Sequence, residues 1–138
     1  MSQSLHLAIR TVHLLAMALL VGGAAGLWAA ARRTPDDLHA LATGYEWVFW
    51  AALGVLVLTG VGNLGALGAP GPATRWGQVL LAKLSLVTAF VLGSAIRSLA
   101  VARTDRTTPL AAWGERAYGL TTVTLLALVV LAEVLAHG

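Results

Sequence analysis

The first apolar segment of the sequence carries imidazole, guanidinium and thioether groups at helical spacing. Neighbouring members of this group are three or four residues apart, so on an α-helix they form one stripe. The members are His6, Arg10, His13 and Met17. Imidazole binds copper, zinc and haem iron, and a thioether favours Cu(I) or haem. The stripe therefore indicates a metal or haem site without choosing between these ligands.

A second stripe recurs every seven positions along the third apolar segment. Its members are Trp76, Lys83, Phe90 and Arg97. We expect Arg97, near the inner end of its helix, to extend its guanidinium to the water surface. In the fourth segment, Glu133 and His137 are four residues apart and can meet on one face.

The segments that position these residues are long enough to cross a bilayer. The chain of 138 residues is 58% hydrophobic and 11% charged, and a soluble domain of this size cannot bury so much apolar surface. Four segments reach the roughly 20 apolar residues that a span requires. They are residues 5–31, 45–67, 76–101 and 113–135. We predict an all-α integral membrane protein with a single transmembrane domain over residues 1–138.

The arginine distribution predicts how these spans are oriented. Arg75 alone flanks the second connection, whereas six arginines flank the first and third, which the positive-inside rule places in the cytoplasm. The six are Arg32, Arg33, Arg97, Arg103, Arg106 and Arg116. The result is an antiparallel four-helix bundle, N-out and C-out. This asymmetry accounts for the basic pI, so we assign the lipid bilayer as a partner and exclude nucleic acid.

Depth in the bilayer brings several polar residues to the outer half of the bundle. With a rise of about 1.5 Å per residue, His13 and Lys83 lie roughly 12 and 10 Å below the outer boundary. Thr59 and Asn63 lie at roughly 12 and 6 Å on the second helix. A charge in hydrocarbon costs about 2.5–3.5 kcal/mol, so the outer half is the predicted functional region and the inner half is expected to be largely apolar.

Two overlapping sets of candidate site residues follow from these depths. The candidate cofactor-binding residues are His13, Lys83, Arg10 and Asn63. The candidate metal ligands are His6, His13, Met17, Glu133 and His137. Because His6 and His13 are about 10 Å apart along one helix, they cannot both bind one haem iron; a bis-histidine haem would pair one of them with His137. The residues alone do not choose among copper, zinc and haem iron.

Other chemistries lack the residues that they need. The sequence has no Cys, which excludes disulfides and thiolate metal sites. It has no GxSxG motif and no nucleotide-binding loop, so a serine hydrolase or a nucleotide-dependent enzyme is not expected.

Three stretches of the sequence resemble CopD-like membrane proteins. Residues 75–87 resemble the family's third helix, in which a Gly and a Leu-Leu-x-Lys-Leu run open the helix. His13 upstream of Gly22-Gly23 resembles the first helix, and Thr59-Gly60 resembles the end of the second. The resemblance implies a bacterial inner-membrane protein linked to periplasmic copper. In the similar HemJ-type protoporphyrinogen oxidases, a first-helix His and a third-helix Lys accompany haem b, which implies roles for His13 and Lys83.

The leading hypothesis is a CopD-like protein with a haem b or copper site in its periplasmic half, acting in copper handling or electron transfer. One alternative is a haem-dependent membrane oxidoreductase of the protoporphyrinogen oxidase type. The other is a structural subunit of a larger membrane complex, or of a homo-oligomer, whose polar residues serve only helix contacts. The sequence does not settle whether the protein is an enzyme.

We predict that both termini are periplasmic. A reporter active only in the periplasm should be active when fused at Gly138 and inactive when fused after Arg33, because the basic connections remain in the cytoplasm. The opposite pattern of activities would reverse the assigned orientation.

Overall fold

Four long helices make up the described part of the protein. The computed structural model describes residues 2–67, 71–104 and 110–137, without the side chains of residues 63–67, 111 and 135–137. The helices are α1 (Gln3–Arg33), α2 (Leu38–Leu67), α3 (Arg75–Arg103) and α4 (Ala111–His137), with a short 3₁₀ turn at Pro35–Asp37 before α2. No strand occurs in these ranges. The predicted all-α four-helix fold is confirmed.

Local side chains set where two of the helices begin. The hydroxyl of Ser2 accepts from the Leu5 amide at 3.4 Å and caps α1. The hydroxyl of Thr74 accepts from the Gly77 amide at 3.0 Å and caps α3. At the other ends, Arg32 and Arg33 close α1 and Arg103 closes α3, where positive charge complements the helix dipole.

The helices form an antiparallel bundle in which α1 packs between α2 and α4. Its core contains Leu20 and Leu27 of α1, Phe49 of α2 and Tyr118 of α4. Large apolar side chains cover the outside, Trp47 among them at 80% exposure. All four helices are long and apolar enough to cross a membrane. The outward-facing apolar surface therefore faces lipid, and the chain is a multi-pass membrane protein.

Side-chain contacts identify the two ends of the bundle. Arg32 at the end of α1 bonds to Glu115 near the start of α4, and His39 of α2 bonds to the Thr104 carbonyl after α3. We call this end the arginine half. The opposite end holds the start of α1 and the end of α4, and we call it the termini half.

Close backbone approach explains two glycines. A Cβ at Gly23 would overlap the ring of Tyr45, whose hydroxyl donates to the Leu20 carbonyl at 2.9 Å. A Cβ at Gly77 would overlap the Gly71 carbonyl, which accepts from the Thr74 hydroxyl at 2.7 Å. Gly23 thus lets α1 and α2 approach, and Gly77 lets the preceding turn fold over the start of α3.

Helix α3 is embedded less deeply than the others. In its most hydrophobic stretch 11% of the residues are buried, against 39% in the corresponding stretch of α2. One face of α3 is therefore left to lipid, and few apolar contacts hold the helix to α2.

Substituting Gly77→Ala should lower the free energy of unfolding by about 1–3 kcal/mol, because the new methyl group meets a backbone oxygen that cannot rotate away. Gly54→Ala is the control, since no atom lies within 4 Å of its Cβ position and alanine favours a helix. Unfolding in mixed detergent micelles measures the free energy of unfolding of both variants. Equal stability of the two variants would refute the proposed backbone contact.

Candidate functional site

His13 is held from one side by a hydroxyl of α2. Its Nδ1 lies 2.7 Å from the Thr59 Oγ1, and that hydroxyl donates to the Val55 carbonyl at 2.8 Å, with the Leu56 carbonyl at 3.2 Å. A hydroxyl has one proton, and both contacts are satisfied together when that proton goes to the backbone carbonyl and an Nδ1–H of the imidazole donates to Oγ1. The network therefore assigns the Nδ1–H tautomer and leaves the lone pair of Nε2 unused.

Lys83 of α3 lies on the same side of the bundle as His13. Its ammonium is close enough to interact electrostatically with the imidazole, and both side chains are half-buried. Within the described ranges, Lys83 has no hydrogen bond or ion pair. His13, Thr59 and Lys83 thus bring α1, α2 and α3 together around one polar group in the termini half.

The remaining candidate residues are spread more widely. Met17 is half-buried one turn from His13, while His6, Arg10 and Glu133 are exposed. The side chains of Asn63 and His137 lie outside the described residues. Among the side chains that are described, no three His, Asp or Glu residues converge as metal ligands.

The expectation that Arg97 reaches the water surface is wrong. Its side chain is buried, with 6% of the residue exposed, and it forms a bidentate ion pair with Glu46. The Arg97 Nε donates to Glu46 Oε1 at 2.8 Å, and Nη2 donates to Oε2 at 3.0 Å. Because α2 supplies a carboxylate at the same depth, the guanidinium is neutralised inside the bundle and has no need of water.

Further donors complete this centre. Tyr118 donates to Glu46 Oε1 at 2.9 Å, and Ser98 donates to Oε2. Arg97 Nη1 donates to the Thr121 hydroxyl at 2.8 Å. The expectation of a largely apolar inner half is therefore also wrong, because these residues join α2, α3 and α4 in the arginine half. We call Glu46, Ser98, Arg97, Tyr118 and Thr121 the ion-pair centre.

Aromatic rings enclose the guanidinium of Arg97. Its Cζ lies 4.5 Å from the centroid of the Phe49 ring and 5.4 Å from that of Tyr118. Such contacts stabilise a desolvated cation. The sequence contains one advance signal of this centre, the stripe that recurs every seven positions along the third apolar segment. It predicted that Phe90 and Arg97 lie on one face of α3, and both residues are buried.

Breaking the ion pair from one side should cost about 3–5 kcal/mol of unfolding free energy, because a buried charge is left without its partner. Glu46→Gln tests this, and adding Arg97→Met to the same chain should recover at least half of the loss. The exposed Arg32–Glu115 pair is the control, since Arg32→Ala should cost less than about 1 kcal/mol. Equal losses for Glu46→Gln and Arg32→Ala would contradict a buried, neutralised centre.

A family model for copper resistance protein D matches residues 39–136. The match covers nearly all of α2 together with α3 and most of α4, and it includes Thr59, Lys83 and the ion-pair centre. The helix that carries His13 precedes the matched range. Comparison with curated proteins and with solved structures gave no match. Since the family match spans well over half of the chain, the protein belongs to the copper resistance protein D family and is a copper-resistance-related membrane protein.

Proposed function

We propose that the protein binds copper or haem b at His13 and acts in copper handling or electron transfer at the periplasmic face of a bacterial inner membrane. The observation that carries this proposal is the unused Nε2 of His13. Histidines that bind metals usually donate their other ring N–H to a fixed acceptor, which sets the tautomer and raises the basicity of the ligating nitrogen. Thr59 occupies the position of that acceptor.

The donor groups on α1 fit copper as cargo. His13 and Met17 are four residues apart, so an imidazole and a thioether lie on one helix face. This pair suits Cu(I), which prefers soft ligands. The link to copper is supported by the family match.

The same residues also fit haem b. An imidazole nitrogen is a common axial ligand of haem iron, which supplies one-electron chemistry when it is bound. The positive charge of Lys83 suits a propionate group of the porphyrin. His13 would then hold the iron, and Lys83 would orient the ring.

The periplasmic assignment rests on exposed arginines. Arg97 no longer counts toward the basic charge at the membrane surface, because it is neutralised by Glu46. Arg32, Arg33, Arg103 and Arg116 are exposed in the arginine half. They still favour a cytoplasmic arginine half and a periplasmic site at His13.

Substituting His13→Ala should remove at least nine-tenths of the bound copper or haem from the purified protein, because it deletes the ligating nitrogen. Metal analysis and a visible absorption spectrum measure the two ligands. His39→Ala is the matched control, since its imidazole bonds to a backbone carbonyl in the arginine half. Thr59→Val should weaken binding by about 10–100-fold. Unchanged content in His13→Ala would place the site elsewhere.

Substituting Lys83→Gln should separate the two ligands. The lysine charge opposes a nearby copper cation, so its removal should tighten copper binding. The same charge attracts a propionate, so its removal should weaken haem binding. A titration of the variant and the parent with Cu(I), and separately with haem, measures both. Identical affinities in the variant and the parent would mean that Lys83 lies outside the site.

The lightly packed α3 favours a second candidate function, that of a subunit in a larger membrane complex or homo-oligomer. Its exposed face is available to another transmembrane helix. A parent protein that purifies without copper or haem, binds neither in titration, and is larger than one chain in detergent would support this function and contradict the first.

A further inference from the structure

A groove of about 450 Å³ lies between α3 and α4 in the arginine half. Leu86 and Trp113 mark its two ends, and its walls are mostly apolar. Its volume lies in the range of small-molecule sites, which in helical bundles form between helices and carry few polar groups. The groove shares no residue with the His13 site.

Ser94 lines this groove with a hydroxyl that has no partner in the described part of the chain. Only 3% of the residue is exposed. On the same helix, Ser85 and Thr88 donate to carbonyl groups one turn back at 2.9 Å. None of the fully buried side-chain oxygens and nitrogens in the described residues lacks a partner, so the Ser94 oxygen must open onto the groove. Hydrocarbon offers that hydroxyl no hydrogen bond, and a polar ligand in the groove would supply one.

Charge and depth restrict the chemistry of that ligand. Arg97 also lines the groove, but Glu46 neutralises it, so the polar end of the groove has no net charge. Ser94 lies nine residues before the end of α3, or about 14 Å along the helix. A phosphate group at that depth would be in hydrocarbon without a counter-charge. The polar group of the ligand must therefore be uncharged.

We propose that this groove binds a membrane quinone. A ring carbonyl accepts a hydrogen bond from the Ser94 hydroxyl. The ring packs near Phe90 and Trp113, and the isoprenoid tail extends into the lipid. A quinone combines an uncharged acceptor with an apolar ring and tail, which are the properties that the groove selects. A fatty acyl chain would fill the groove against its apolar walls, but it would leave the Ser94 hydroxyl without a hydrogen-bond partner.

Binding of decyl-ubiquinone to the whole protein in lipid nanodiscs tests the proposal. Gly93 lies in the groove with no atom within 4 Å of its Cβ position, so Gly93→Leu should fill the groove, preserve the fold and weaken binding at least tenfold. Ser94→Ala should weaken binding about three- to tenfold, as expected for one hydrogen bond. Gly54→Leu is the matched control on α2, and it should bind like the parent.

Three results would overturn the proposal. The first is a parent protein that does not bind the quinone. The second is equal binding by Gly93→Leu and Gly54→Leu, which would place the quinone outside the groove. The third is a loss in Gly93→Leu with none in Ser94→Ala, which would mean that the groove selects apolar groups alone and that Ser94 makes no contact with the quinone ring. A dimeric parent that becomes monomeric in Gly93→Leu, without quinone binding, would assign the groove to a second copy of the chain.

Discussion

The ion pair between Glu46 and Arg97 is the interaction on which the bundle depends most. An unpaired charge in hydrocarbon is costly, so once one of these residues is in the membrane the other must meet it. Helix α3 buries little apolar surface, and the bidentate pair gives it a directional bond to α2. Tyr118 and Thr121 extend the bond to α4. The pair therefore fixes the position of α3, and with it the position of Lys83.

The two polar centres of the bundle differ in what they leave available. Glu46 accepts hydrogen bonds from Arg97, Tyr118 and Ser98, so the capacity of its carboxylate is used inside the protein. Such a saturated centre is suited to holding helices together. His13 has one fixed nitrogen and one unused nitrogen, with a cation nearby. That imbalance is suited to a ligand, and it is the reason that we propose a copper or haem site in the termini half.

Hydrophobic length was enough to predict the four helices, because a span requires a continuous apolar segment whatever its partners are. Helix rise alone also placed His13 and Lys83 at similar depths. The role of Arg97 was not predictable in this way. The predicted second span begins at residue 45, which places Glu46 at the membrane boundary. In the structure α2 begins at Leu38, so Glu46 lies about 12 Å along the helix from its first residue. The tautomer of His13 and the groove depend on the separation of helices, and single-helix periodicity contains no information about it.

The most direct test of the central claim, that His13 presents an unused Nε2 to a ligand, is ¹⁵N NMR of the histidine-labelled protein. His13→Ala identifies the signals of this ring. We predict a proton on Nδ1, none on Nε2, and a shift of the Nε2 resonance when Cu(I) or haem is added. A proton on Nε2 in the free protein, or an Nε2 resonance that does not move when the ligand is bound, would contradict the account.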